Sequence, residues 1–218
     1  MTAFNWRRAL SLALDQLHQS GVLRRATVIL VGSYAQGTPS PHSDVDVLIL
    51  ISGSERPKLV APRGIHYQFA DARTFRERIR NGDDYAIAAI RFGKLLHDGL
   101  EVWVALKEEE VNAPLPDWRL KFDFARRRLR LTRELLRDRD TDAAAEECLA
   151  AATQLARGYL LRRGVYPFSR PQLSGQLDSI GEAELARILR LLQRPALEES
   201  DLRKIALRLE ALSSPQAA

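Results

Sequence analysis

Cysteine is almost absent from this chain: Cys148 is the only one among 218 residues. An internal disulfide framework is therefore excluded. Cys148 itself, set in AAAEECLAAA, reads as a small buried apolar residue and not as a reactive thiol. No apolar run approaches the roughly 20 residues needed to cross a bilayer, and neither an internal repeat nor a low-complexity tract breaks the chain. The opening stretch, MTAFNWRRALSLALDQLHQSG, is basic and then amphipathic, as targeting peptides are. Asp15, Gln16 and His18 interrupt its apolar part and no small-residue cleavage site follows, so the expectation is a structural helix in a cytoplasmic protein. What remains is the composition of an ordinary globular chain, long enough to bury a core without staples.

The excess of positive charge is local. Residues 1–116 carry 14 Lys/Arg against 13 Asp/Glu, whereas residues 119–139, RLKFDFARRRLRLTRELLRDR, carry 9 against 3. Such a helix attracts phosphates or nucleic acid, or it is a solvated face whose arginine stems cover apolar surface. No aromatic stacking platform is interleaved with the basic positions, which favours the solvated face and leaves nucleic-acid binding as the lesser reading.

Apolar periodicity divides the chain into two parts. In the first, Phe4 to Gln19 is a helix with Trp6, Leu10, Ala13, Leu14 and Leu17 on one stripe and Gly21 at its end. ATVILV (26–31) and DVDVLILI (44–51) have the composition of strands buried on both faces, and GIHYQFA (64–70) is a third candidate. Helices are expected over Thr74–Arg80 and Asp84–Lys94. VNAPLPD (111–117), with two prolines, reads as a seam. Beyond it every pattern is helical: a first helix striped by Phe122, Ala125, Leu129, Thr132 and Leu136, then helices near 143–163, 171–178, 182–192 and 200–212. The expected organisation is an α/β domain over residues 1–112, a small mixed sheet flanked by helices, and an all-α helical bundle over 117–213, with a cleft between them.

Between the first two strands lies VGSYAQGTPSPHSDVDVLIL (31–50), which places two aspartates at the mouth of an apolar strand. Side chains alternate along a strand, so Asp44 and Asp46 project the same way, roughly 6–7 Å apart. Two carboxylates at that spacing repel unless a cation meets them. Magnesium takes hard oxygen ligands and commonly joins one or two carboxylates to substrate phosphates. Gly32 and Ser33 supply the complement: a turn without a Cβ, the free N–H groups of a new helix, and a hydroxyl donor. Ser43 either contacts phosphate or caps the turn.

The pattern Gly-Ser, ten residues, Asp-Val-Asp, with buried strands on either side, resembles the nucleotidyltransferase superfamily that includes DNA polymerase beta and kanamycin nucleotidyltransferase. The resemblance covers residues 4–106 and is sharpest at Gly32, Ser33, Asp44 and Asp46. It implies Mg²⁺-dependent transfer of a nucleoside monophosphate from an NTP, ATP by default, to an unidentified acceptor, a small molecule or a protein, with pyrophosphate leaving. In that reading Asp44 and Asp46 are catalytic metal ligands, and Gly32, Ser33 and Ser43 bind the nucleotide. The spacing is also similar to that of antitoxin nucleotidyltransferases.

The family has a third carboxylate on the third strand. Here the matching position is His66, with Gln68 next on the same face, while Asp71 falls on the other face. His66 is accordingly a candidate base, its ordinary pKa near 6.5 suiting the role; manganese, which accepts imidazole better than magnesium does, is the alternative ion. Glu134, Glu146 and Glu147 in the helical part are rival candidates for the base. A nucleotide-binding regulator without turnover is the other reading. Tyr34, Trp6, Trp103, Trp118 and Tyr166 are expected to pack, Arg91 and Lys94 to lie on exposed surface, and His18, His42 and His97 to belong to no constellation.

Overall fold

The computed structural model describes residues 5–40, 43–53, 57–194 and 197–214. The chain separates into two compact units, Met1–Pro114 and Leu115–Ala218. Phe4 and His42 lie outside the described residues.

The first unit is built on a four-stranded mixed sheet in the order β3-β2-β1-β4, with β1 at Ala26–Val31, β2 at Val45–Ile51, β3 at Ile65–Asp71 and β4 at Lys94–Asp98. β1 pairs antiparallel with β2 and β4, and β2 pairs parallel with β3. Every residue of β1 is buried, as its continuous β-branched and apolar sequence demands of a central strand. Val28 and Leu30 point to one face, where they meet Leu10, Ala13 and Leu17 of α1 (Trp6–Gln19). Ile29 and Val31 point to the other, against Phe75 and Ile79 of α3 (Ala72–Arg80), Ala86 and Ile90 of α4 (Asp84–Phe92), and Leu106 of α5 (Trp103–Asn112). Between β1 and β2 stands the single turn α2 (Gly32–Gln36).

Caps set the helix boundaries. Asp71 accepts from the Thr74 amide at 2.9 Å, so α3 begins at Ala72, two residues before the position expected from periodicity. Asp83 accepts from the Ala86 amide at 2.8 Å and opens α4. One expectation fails at the end of α4. The helix stops at Phe92 and not at Lys94, and KLLHD, for which no strand was expected, is the edge strand β4. Gly93 explains the break. A Cβ there would lie 2.0 Å from the Ala89 carbonyl oxygen and 2.7 Å from Ile29 Cγ2, so the chain turns where no side chain fits. Pairing with β1 then overrides the helical preference of the leucines.

The second unit is wholly helical: α6 (Trp118–Arg137), α7 (Thr141–Arg162), α8 (Arg170–Ser179), α9 (Ala183–Leu192) and α10 (Glu199–Ser213). The stripe Phe122, Ala125, Leu129, Thr132 and Leu136 is buried as expected. It meets the small residues Ala144, Cys148, Ala151, Ala152 and Ala156 of α7, which let the two helices approach closely. Burial pushes the Cys148 thiol up to about 12, consistent with a packing role. The tightest point is Gly158, where a Cβ would lie 2.6 Å from the ring of buried Phe122. Alanine is the better helix former by about 1 kcal/mol, but overpacking a core costs about 1–3 kcal/mol. Gly158→Ala is therefore expected to lower the thermal midpoint, read by circular dichroism; a raised midpoint would show that Phe122 has room to move.

Candidate active site

β1 delivers the chain to Gly32 directly beside β2, because Val31 pairs with Asp46 in the antiparallel register. Gly32 has φ 70°, the left-handed region that side chains disfavour. A Cβ at this position would sit 2.6 Å from Asp46 Oδ2. Glycine thus serves twice: it makes the bend and lets the carboxylate lie against the backbone. Ser33 follows, its carbonyl accepting from the Thr38 amide at 2.9 Å.

Asp46 lies inside β2 and is half-buried, whereas Asp44 precedes the strand by one residue and is exposed. Val45 between them is fully buried, so the aspartates flank a side chain that enters the core on the α1 side. No Lys or Arg among the described residues forms an ion pair with either aspartate. The Asp46 carboxylate beside a glycine bend, with Asp44 two residues before it in the chain, offers hard oxygen donors of the kind a divalent cation takes.

On the other side of Asp46 stands β3. The parallel register sets His66 directly beside Asp46, at the position that the family resemblance gives to the third carboxylate. His66 Nδ1 lies 3.1 Å from Asp46 Oδ1. Gln68 brings Nε2 to 3.5 Å from the same oxygen and to 3.5 Å from His66 Nδ1. Gln68 Oε1 in turn accepts a hydrogen bond from the Tyr85 hydroxyl, on α4. Burial, and then the charge of Asp46, push the Tyr85 phenol up to about 12, so it keeps its proton and acts as a donor. The four side chains form one connected chain, Tyr85–Gln68–Asp46–His66. Tyr85 went unnoticed in the sequence; it comes from a helix whose own pattern marks only core positions.

The third carboxylate is missing from this face. The β2–β3 register runs unbroken from Val45–Ile65 to Ile51–Asp71, so no bulge turns Asp71 round. Its carboxylate is committed to the Thr74 and Gly53 amides, and these bonds hold it below the usual carboxylate range. Among the described residues no group of three His, Cys, Asp or Glu side chains is placed to hold a metal ion.

The remaining candidates settle individually. Ser43 Oγ is engaged within its own turn, accepting from the Ser40 amide at 2.9 Å and meeting Ser40 Oγ at 3.0 Å. Tyr34 packs on Trp6, ring centroids 5.2 Å apart. Arg91 pairs with buried Glu110 at 2.5 Å instead of lying free on the surface. Lys94 is exposed on β4, opposite Leu30. His97 Nε2 bonds the Leu23 carbonyl at 2.8 Å. In the helical unit, Glu147 holds Arg128 at 2.8 and 2.9 Å, and Glu146 is exposed. Glu134 lines a cavity of about 520 Å³ between α6 and α10, together with Arg130, Arg133, Arg137 and Arg203.

A family model for the nucleotidyltransferase domain matches residues 8–131. Among solved structures the chain is similar to a nucleotidyltransferase-like protein from Exiguobacterium sibiricum 255-15, at 15% identity and a TM-score of 0.52, over 94% of this chain and 74% of that one. At that identity the likeness concerns the fold alone. No curated protein matches.

The Gly32–Asp46 approach yields a direct test. Gly32→Ala must hold an alanine in the left-handed region, at about 1–2 kcal/mol, and push the Asp46 carboxylate aside. The variant is expected to unfold at lower temperature than the parent; an unchanged midpoint would show that the bend relaxes freely.

Proposed function

The chain belongs to the nucleotidyltransferase domain family, and on that premise we propose that it moves a nucleoside monophosphate from a nucleoside triphosphate to an acceptor, releasing pyrophosphate. ATP is the default donor, and the acceptor is a small molecule or a protein bearing a nucleophilic oxygen. The observation that carries this reading is the Asp46 carboxylate lying against the Gly32 bend, with Asp44 two residues before it and no Lys or Arg among the described residues paired to either.

Each residue has a role in this reading. Asp44 and Asp46 would hold Mg²⁺, or Mn²⁺, which when bound supplies Lewis-acid neutralisation of the phosphate charge. The backbone at Gly32 and the Ser33 hydroxyl donate to phosphate oxygens; Ser43, already engaged with Ser40, shapes the turn that presents Asp44. The acceptor oxygen attacks the α-phosphorus in line, the bond from that phosphorus to the bridging oxygen breaks, and its electron pair leaves with pyrophosphate. The acceptor proton passes to His66. With Nδ1 turned to Asp46, Nε2 is the ring atom left to accept it.

A second reading has its own observation. His66 and Gln68 stand where an acid is expected, which favours a protein that binds the nucleotide without turning it over, a regulatory or antitoxin-like role. Calorimetry beside a pyrophosphate assay separates the two. Mg²⁺-dependent NTP binding with no pyrophosphate released to any acceptor supports the regulator.

For the enzyme, labelled NTPs with Mg²⁺ or Mn²⁺ and a panel of acceptors provide the test. Asp44→Asn and Asp46→Asn are each expected to abolish pyrophosphate release, and wild-type rates from Asp46→Asn would overturn the assignment. His66→Gln is expected to slow transfer by about 10²–10⁴-fold while NTP affinity is retained; an unchanged rate would remove His66 from the mechanism.

A further inference from the structure

We infer that the nitrogen groups of β3, supported by Tyr85, restrict the Asp46 carboxylate to a single divalent ion. This rests on the reading of Asp44 and Asp46 as metal ligands. The two oxygens of Asp46 face different surroundings. Oδ2 faces the Gly32 backbone, as the 2.6 Å approach of a built Cβ shows. Oδ1 faces β3, where His66 Nδ1 lies at 3.1 Å and Gln68 Nε2 at 3.5 Å.

Both of these nitrogens present hydrogen to the carboxylate. The His66 tautomer that bonds this oxygen at 3.1 Å is the one with hydrogen on Nδ1, since two lone pairs at that distance repel. The Gln68 amide has two orientations, and only one leaves its NH₂ group toward Asp46. Asp46, which can only accept, selects that orientation, and Tyr85 supports it by donating its hydroxyl proton to Oε1. Tyr85 is itself anchored, its ring edge-on to that of fully buried Phe75 with centroids 6.5 Å apart. Turning the amide would set its carbonyl oxygen against the Asp46 carboxylate, acceptor against acceptor, and would also remove the Tyr85 proton from Oε1.

A cation approaching Oδ1 from the β3 side would meet N–H hydrogens, which repel it. The side left to an ion is the one away from β3, and Asp44, exposed and two residues before Asp46, is the other carboxylate of this segment. A two-ion arrangement needs a second oxygen site on the far side of the same carboxylate, and β3 offers none: Asp71 is turned away and bound to amides. The site is thus built for one ion, carried with the triphosphate, and the proton of the acceptor is managed by nitrogen chemistry in place of a second metal.

The test is electron paramagnetic resonance of the full chain titrated with Mn²⁺ in the presence of an equimolar non-hydrolysable ATP analogue. The wild-type protein is expected to bind one Mn²⁺ per chain, with the spectrum of an isolated ion. Gln68→Glu places a carboxylate where the amide stands and is expected to take up a second Mn²⁺, seen as a spin-coupled pair. Should that variant fail to fold, His66→Asp at the exposed neighbouring position is the equivalent probe. A coupled pair in the wild type overturns the inference, and so does failure of both variants to gain a second ion. If the wild-type protein retains no Mn²⁺ beyond that held by the free analogue, the metal assignment of Asp44 and Asp46 falls, and this inference with it.

Discussion

The approach of the Asp46 carboxylate to a backbone without a Cβ is the constraint on which the site depends. It requires three things at once: an antiparallel register that sets Val31 against Asp46, a left-handed residue immediately after β1, and the absence of a side chain at that residue. Only glycine meets the last two. The buried core of β1 and β2 fixes the first, because a one-residue slip would turn Val47 and Ile49 from the α1 face to the other. The position of a charged group is thus set by apolar packing on the residues around it.

Charge then explains the chemistry. A carboxylate at the mouth of a buried strand is costly unless it is solvated, hydrogen-bonded or paired. Asp46 is partly solvated and receives nitrogen donors from β3, while Asp44 stays in water. Neither has an arginine or lysine partner among the described residues, although cations are plentiful in the chain. Of those on α6, Arg126 pairs with Asp123, Arg128 with Glu147 and Arg133 with Glu210. Such exposed pairs contribute about 0–1 kcal/mol each and describe a solvated helix face better than a nucleic-acid track. In the proposed reading, a divalent ion carried with the triphosphate is the partner these two carboxylates take.

Much of this was readable beforehand, for physical reasons. Continuous β-branched runs marked β1 and β2, and strict alternation in IHYQFAD put His66 and Gln68 on one face and Asp71 on the other, as the parallel register has them. The stripe on α6 was equally clear, because helical periodicity over 20 residues leaves little ambiguity. Two features were not readable. KLLHD has the composition of a helix end, and only the steric block at Gly93 and the free edge of β1 make it a strand. Tyr85 sits among core residues of α4, and its hydroxyl reaches Gln68 through the packing of a helix against a sheet, which no local pattern encodes.

The most direct test of the central claim is a crystal structure of the full chain with Mn²⁺ and a non-hydrolysable NTP, with the ion located by its anomalous scattering. The account predicts an anomalous peak within coordination distance of Asp44 and Asp46, and the triphosphate against the Gly32–Ser33 bend. An ordered nucleotide with its ion elsewhere, or with those two carboxylates turned away from it, would contradict the account.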